Sequence, residues 1–266
     1  MKLLEGKKIA DEIFRDIKEI IKIQRLKPGL AVILVGQNEA SEIYVRLKQK
    51  AAEEVGINFF LHRFPEESDE KEIIEKIQEL NNDEKISGMI VQLPLPKNLN
   101  TQKIMDAIAS EKDADGFSAQ SEFPPVFPNA ILQLIKSSGQ NLSDKSAIVI
   151  ANSTEFGETM SGILEKGKIN SQYILAENIE RELILIKNAD IIITAVGKPK
   201  LISGNMIKKD AIVIDGGISK IGEKVVGDVD FESMKNVAGF LSPVPGGVGP
   251  VTIACLLENV YQLSIK

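Results

Sequence analysis

Two spacings of apolar residues alternate along the chain. Short unbroken runs, LAVILVG (30–36), INFFLHRF (57–64) and SGMIVQLPLP (87–96), are separated by EIYVRLKQKAAEEVG (42–56) and EKEIIEKIQELNN (70–82), where apolar residues return every three or four positions. A helix repeats about every 3.6 residues and a strand every two, so the spaced segments predict helices and the short apolar runs predict strands. Within 42–56, Ile43, Leu47, Ala51 and Val55 recur at every fourth position and predict the apolar face, with Tyr44 and Lys48 side by side next to it. The second half repeats the scheme. SAIVIAN (146–152), SQYILAE (171–177), ADIIITAVG (189–197) and DAIVIDGG (210–217) predict a second set of parallel strands, too apolar to have a wet face. Strands alternating with helical stretches make the chain α/β, built of βαβ units.

Between the halves, DGFSAQSEFPPVFPNA (115–130) holds three prolines and no helical period, which places a domain boundary there. The last helical stretch, VTIACLLENVYQLSI (251–265), follows a Gly/Pro-rich loop and on its pattern alone returns to either domain. With 266 residues, 43% of them apolar, each half is of ordinary domain size and can bury a core. A formal net charge of −6 without any cluster of Lys and Arg leaves no electrostatic footprint for nucleic acid. The single cysteine, Cys255, rules out an internal disulfide and a multi-thiolate metal centre, and suits a reducing compartment, with the cytoplasm as the expected location. The opening MKLLEGKKIADEIF lacks the apolar run of a signal peptide, and no segment reaches the ~18 uninterrupted apolar residues of a membrane span.

Open parallel sheets bind ligands beyond the carboxyl ends of their strands, so the loops after each strand carry the candidate chemistry. VQLPLP puts the amide of Gln92 at a strand end and stiffens the exit with Pro94 and Pro96. KDADGF sets Asp113 and Asp115 just before a glycine, and SPVPGGVGPVT (242–252) packs three glycines and three prolines into a backbone suited to close approach. Each has an ordinary structural explanation when taken singly. A Tyr/Lys pair on a helix is usually a solvated edge, a strand-end amide caps a turn, and an Asp before Gly is a turn residue. The only histidine, His62, lies in a predicted strand without a partner motif, which argues against His-based acid/base catalysis.

Taken together and in order, ASEIYVRLKQKAAEEVGI, GMIVQLPLP, KDADGF, GDVDF and SPVPGGVGPVT resemble the signature segments of the bifunctional methylenetetrahydrofolate dehydrogenase/cyclohydrolase family, as do AVGKP (195–199) and AIVIDGGIS (211–219). The resemblance covers nearly the whole chain. It implies two α/β domains flanking a cleft: a folate-binding catalytic domain over 1–118, rejoined by the helix at 250–266, and a Rossmann-type dinucleotide domain over 119–249. It implies a homodimer acting on tetrahydrofolate derivatives, with NADP as the usual cofactor and NAD as the other possibility. The implied reactions are oxidation of methylene-tetrahydrofolate by hydride transfer to a nicotinamide and opening of the resulting methenyl cation by water to 10-formyl-tetrahydrofolate.

Carried over position by position, the resemblance makes Tyr44, Lys48, Gln92 and Asp115 the folate site, with Pro245, Gly246, Gly247, Gly249 and Pro250 along its wall. This chemistry needs a proton acceptor and no metal. Repulsion from the cationic methenyl ring, with partial burial, should depress the pKa of Lys48 so that a neutral amine becomes accessible as acid/base. Gln92 would hold that amine and the attacking water, Tyr44 would offer a ring face to the aminobenzoyl group, and Asp115 would accept from the donor-rich pterin edge. Asn152, Ser153, Gly157, Glu177, Gly197 and Ile218 are the implied dinucleotide positions. Here the chain departs from the pattern: where the family carries Gly-Arg-Ser or Gly-Ala-Ser and then Val-Gly-x-Pro, it reads ANSTEFGETM (151–160), and a His-Ser pair after the next strand is replaced by Ala176-Glu177. A carboxylate at that strand end ordinarily binds the ribose hydroxyls and repels a 2′-phosphate. The alternative function these departures leave open is a cyclohydrolase or folate-binding protein whose dinucleotide half no longer catalyses.

Overall fold

All seven predicted strands form, and most are shorter than the apolar runs that announce them. The structure is a computed structural model describing residues 1–118, 120–222 and 224–266. In chain order the first half contains β1 (Lys2–Leu3), α1 (Gly6–Gln24), β2 (Gly29–Val35), α2 (Glu39–Val55), β3 (Asn58–Phe64), α3 (Glu70–Asn81), β4 (Gly88–Val91) and α4 (Thr101–Met105). The second half contains α5 (Val126–Ser137), β5 (Ser146–Ala151), α6 (Thr154–Lys166), β6 (Asn170–Leu175), α7 (Leu183–Asn188), β7 (Ile191–Ala195) and β8 (Ile212–Asp215). There follow the hairpin β9 (Ser219–Ile221) and β10 (Lys224–Val226), α8 (Phe231–Met234), β11 (Phe240–Leu241) and α9 (Val248–Leu263). Two compact units result, one of Asp11–Val126 and Ile253–Lys266, the other of Met1–Ala10 and Phe127–Thr252.

The unit holding residues 11–126 is built on a parallel sheet of order β3-β2-β4. Strand β2 is buried throughout, and its Ala31, Ile33 and Val35 pack with Met89 and Val91 of β4 against Ile73, Ile77 and Leu80 of α3. Strand β4 stops at Val91 although the apolar run continues, because the chain makes one more ladder bond, Gln92 N to the Ile33 carbonyl at 2.8 Å, and then enters the cis Leu93–Pro94 peptide. A proline has no N–H to extend the ladder. Beside β4, Asp113 pairs with Met89 and the Ala114 N–H donates to the Met89 carbonyl. The C-terminal helix secures this segment: Asn259 Nδ2 donates to the Ala114 carbonyl at 2.9 Å, and a Cβ at Gly88 would come within 3.0 Å of both Ala114 and Val260.

Helix α2 buries a different face from the expected one. Its buried residues are Ser41, Val45, Lys48, Ala52 and Val55, while Ile43 and Leu47 are 41% and 49% exposed. The four-residue stripe in the sequence was therefore the wrong one at its N-terminal end, and the buried face includes a lysine.

The other unit carries a six-stranded parallel sheet of order β1-β11-β8-β7-β5-β6. Strands β5, β7 and β8 are buried as expected, but β6 sits at the sheet edge and only its Ile174 is buried, so the expectation that 171–177 has no wet face is corrected by its place in the sheet. Residues 2–3, too short to show any periodicity, form the opposite edge through Lys2 N to the Gly239 carbonyl and Leu4 N to the Leu241 carbonyl. Strand β5 is flanked by β6 on one side and β7 on the other, so the order reverses at β5 and opens a crevice at its carboxyl end.

Candidate active site

Helix α2 brings Tyr44 and Lys48 to the carboxyl end of the three-stranded sheet. It starts at Asn38, whose side chain accepts from Ser41 N at 3.0 Å, and ends at Gly56 in the left-handed conformation a glycine tolerates. Lys48 is 8% exposed and donates from Nζ to Gln92 Oε1 at 3.0 Å. The other end of that amide donates from Nε2 to the Leu93 carbonyl at 2.8 Å, which fixes which atom faces the lysine. Burial pushes the Lys48 pKa down, and the Asp115 carboxylate pulls in the opposite direction. Asp115 itself is pushed up to about 6 by burial, offset by Lys48 and reinforced by Asp113. Burial likewise raises the Tyr44 phenol. Tyr44, Lys48, Gln92 and Asp115 thus belong to one unit. The low dielectric around Lys48 comes from the protein itself, before any cationic ligand arrives.

The other expected residues fall in the second unit. The loop of Pro245, Gly246, Gly247, Gly249 and Pro250 leads into α9, whose first turn already holds Gly249 and Pro250. Gly246 takes φ +102°, which glycine adopts readily, and a Cβ on Gly247 would stand 2.5 Å from the Pro243 carbonyl oxygen, so the turn itself calls for both; the Gly246 carbonyl accepts from the Lys7 N–H. At the carboxyl end of β5, Ser153 caps α6 by accepting from Phe156 N at 3.3 Å, which leaves the first N–H groups of a 13-residue helix directed outward. The Asn152 amide donates to the Val196 carbonyl and ties the loop after β5 to the loop after β7. Gly157 is buried, and a Cβ there would lie 2.5 Å from the Tyr173 ring, so this glycine allows α6 to pack on β6. Gly197 has φ +77° after β7, and its carbonyl accepts from Ser219 Oγ next to the 48%-exposed Ile218. Glu177 is exposed, in the short turn that follows β6. A helix N-terminus, a left-handed glycine and the reversal of strand order suit a dinucleotide pyrophosphate.

The tetrahydrofolate dehydrogenase/cyclohydrolase catalytic domain profile matches residues 4–115, and the NAD(P)-binding domain profile of the same name matches residues 125–266. The chain belongs to the tetrahydrofolate dehydrogenase/cyclohydrolase family. Among its relatives are the bifunctional protein FolD of Moorella thermoacetica, 43% identical over 98% of this chain and 97% of the relative, and that of Pelagibacter ubique, 43% identical over 98% of both. Of the solved structures, the bifunctional FolD enzyme of Campylobacter jejuni superposes with a TM-score of 0.93 at 36% identity, covering 100% of this chain and 99% of that one. The Trypanosoma brucei enzyme complexed with NADP and an inhibitor gives 0.93 at 28% identity, covering 98% and 96%.

Within this member of the tetrahydrofolate dehydrogenase/cyclohydrolase family, several polar residues shape the site without having been assigned a place in it by the sequence. Asp113 accepts from Gly116 N at 3.0 Å and Ser118 N at 2.7 Å, so it is the turn residue of KDADGF and leaves Asp115 to face Lys48. Ser41 donates to the Leu93 carbonyl and joins α2 to the Gln92 loop. Asp215 and Asp228 are buried in the second unit, where burial pushes the Asp215 carboxyl up to about 6 against the backbone N–H groups that lower it. The spacing DGG…GD, visible in 215–217 and 227–228, was the available signal. Replacing Gly157 by Ala should destabilise the chain by about 1–3 kcal/mol through overpacking on Tyr173, less up to ~1 kcal/mol regained in helix propensity. A melting temperature equal to or above that of the wild type would show that α6 has room to move.

Proposed function

We propose that the chain oxidises methylene-tetrahydrofolate to methenyl-tetrahydrofolate and hydrolyses the methenyl form to 10-formyl-tetrahydrofolate. The observation that carries this reading is the buried Lys48 amine, its pKa lowered by burial, held by Gln92 and balanced by Asp115. A bound NADP would supply the hydride acceptor for the methylene carbon. Ser153 and the N-terminus of α6 are the residues for its phosphates, with Gly197 and Ile218 on the adjoining loops.

Lys48 supplies the base for the second step. A neutral amine that donates one N–H to Gln92 Oε1 has its lone pair turned elsewhere, and that lone pair takes the proton of the water that adds to the methenyl carbon. The bond from that carbon to N5 then breaks as the ring opens: the carbinol O–H gives up its proton to solvent as it becomes the formyl carbonyl, and the proton held by Lys48 passes to the departing nitrogen, so one proton is released overall. Gln92 Oε1 orients the amine, and since Nε2 commits only one of its two N–H groups to the Leu93 carbonyl, the second is left to hold the attacking water. Asp115, as a carboxylate, accepts from the pterin edge, and Tyr44 lines the aminobenzoyl region.

Two spectrophotometric assays test the proposal: dinucleotide reduction with methylene-tetrahydrofolate, and loss of methenyl-tetrahydrofolate absorbance. Hydrolysis without reduction of either dinucleotide would favour the cyclohydrolase-only reading. For Asp115, substitution by Asn is expected to raise the folate KM in both assays by about 10-fold, the worth of one charged hydrogen bond. Because its carboxyl titrates at about 6, the wild-type KM should climb as pH falls through that value and the carboxylate protonates, whereas the Asn variant should lack this rise. Identical pH profiles for the two proteins would remove Asp115 from the folate site.

We also read the protein as a cytoplasmic homodimer. No helix among the described residues is long and apolar enough to cross a membrane. Ile221, Val225 and Phe231 of the hairpin and α8 are 58%, 42% and 39% exposed, an apolar surface of the kind that subunits cover. Light scattering at assay concentration tests this, and a monomer mass would reject it.

A further inference from the structure

Beneath the proposed dinucleotide loops, two buried carboxylates are interleaved with two glycines. Asp228, fully buried, accepts from Thr194 Oγ1 at 2.8 Å and Val196 N at 2.7 Å on Oδ2, and from Lys198 N at 2.7 Å on Oδ1. Asp215 accepts from Gly217 N and Asp228 N, each at 3.0 Å, on Oδ1, and from Val229 N at 2.9 Å on Oδ2. The packing is reciprocal. A Cβ on Gly217 would stand 2.1 Å from the Asp228 carboxyl, and a Cβ on Gly227 would stand 2.0 Å from that of Asp215. Each carboxylate fills the space over the glycine next to the other, so the loops after β7 and β8 are fixed to one another through Asp228 and its neighbour Gly227.

The loop after β7 is held from several sides. Asp228 takes the N–H groups of Val196 and Lys198, Asn152 holds the Val196 carbonyl, and Ser219 holds the carbonyl of Gly197. A turn whose flanking amides are bound from inside keeps the left-handed Gly197 in a single conformation. We infer that Asp228 is a positioning residue for dinucleotide binding: it orders the Val196–Lys198 turn that the cofactor lies against, and Asp215 in turn orders Asp228. This inference rests on the dehydrogenase reading and adds to it a residue that does not touch the cofactor.

Asn in place of Asp228 is nearly isosteric yet presents an NH2 group where each carboxylate oxygen now meets a backbone N–H, whichever way the amide turns. Dinucleotide dissociation constants should be measured by calorimetry and by the fluorescence of added NADPH, alongside both activities and the melting temperature. The expected result for Asp228→Asn is an affinity for NADP and NADPH about 10-fold or more weaker, as for one buried N–H left unsatisfied, and a matching rise in dinucleotide KM. Hydrolysis of methenyl-tetrahydrofolate should change less than twofold, since no dinucleotide takes part in it. Thr194→Val removes a single donor to Oδ2 and should give a shift of about threefold in the same direction. A folded Asp228→Asn protein with wild-type affinity, or one that loses both activities in parallel, overturns the inference. If Asp228→Asn does not fold, Thr194→Val decides, and an unchanged dissociation constant overturns it. A wild-type chain that binds no dinucleotide overturns the dehydrogenase reading itself and the inference with it.

Discussion

Lys48→Met is expected to slow hydrolysis of methenyl-tetrahydrofolate by about 10²–10⁴-fold, the usual contribution of a positioned acid/base group, while hydride transfer, which needs no side-chain acid, falls much less. Met keeps the length and most of the volume of Lys48 and removes only the ionisable end, so the lost rate reports the amine. The fold should not suffer. Lys48 has a folded pKa below its ordinary value of 10.5, so between those two values the unfolded chain binds the extra proton and stability rises with pH. Below the window the native state must keep a cation in a buried site, at a cost to stability that Met does not incur. The variant should therefore melt at or above the wild-type temperature near neutral pH. In the wild type, hydrolysis should increase with pH through the folded pKa of Lys48, as the amine becomes neutral. Wild-type hydrolysis by the variant, or a pH-independent wild-type rate, would remove Lys48 from its role.

That lysine also shows how far the sequence could be read. The strand–helix alternation, the parallel sheets and the position of Gln92 at a strand end all follow from patterns of apolar residues, because such patterns report burial directly. The face of α2 did not, since Ile43 and Leu47 are half-exposed and Lys48 is buried, the reverse of what hydrophobicity dictates. A chain spends stability in this way where a perturbed side chain is wanted, so the local rule fails at the candidate site and holds around it. Edge strands were hard for another reason. Strand β1 is two residues long and β6 is partly wet, so neither carries enough periodicity to be distinguished from loop or core. For Asp215 and Asp228 the sequence offered only the DGG…GD spacing, and not their interlocking, because their partners among the described residues are, apart from Thr194, backbone N–H groups, which every sequence contains.

Cofactor choice is expected to turn on Glu177. Family membership makes NADP the expected cofactor, and its 2′-phosphate belongs near the ends of the first two strands of the dinucleotide sheet. There the chain offers Asn152, whose amide already donates to Val196, and Glu177, an exposed carboxylate in the turn after β6. Two unit charges at ~4 Å repel by about 1 kcal/mol in bulk water and about 4 kcal/mol near a protein surface, and exposure places Glu177 toward the lower figure. A 2′-phosphate carries nearly two charges at neutral pH, so the repulsion is about 2 kcal/mol, more than the ~1.4 kcal/mol that is tenfold in affinity and enough to offset one hydrogen bond to the phosphate. The wild type is thus expected to accept NAD at least comparably with NADP in kcat/KM. Glu177→Ser, which removes the charge and supplies a hydroxyl donor, should raise the NADP-to-NAD ratio by about tenfold or more, almost entirely through the NADP value. Salt provides an independent check, because the Debye length falls from about 10 Å at 0.1 M to about 3 Å at 1 M, so added salt should move the wild-type ratio toward NADP and leave the Ser variant less affected. A strong NADP preference in the wild type that neither the substitution nor salt alters would mean that the Glu177 carboxylate points into solvent, away from the 2′-phosphate.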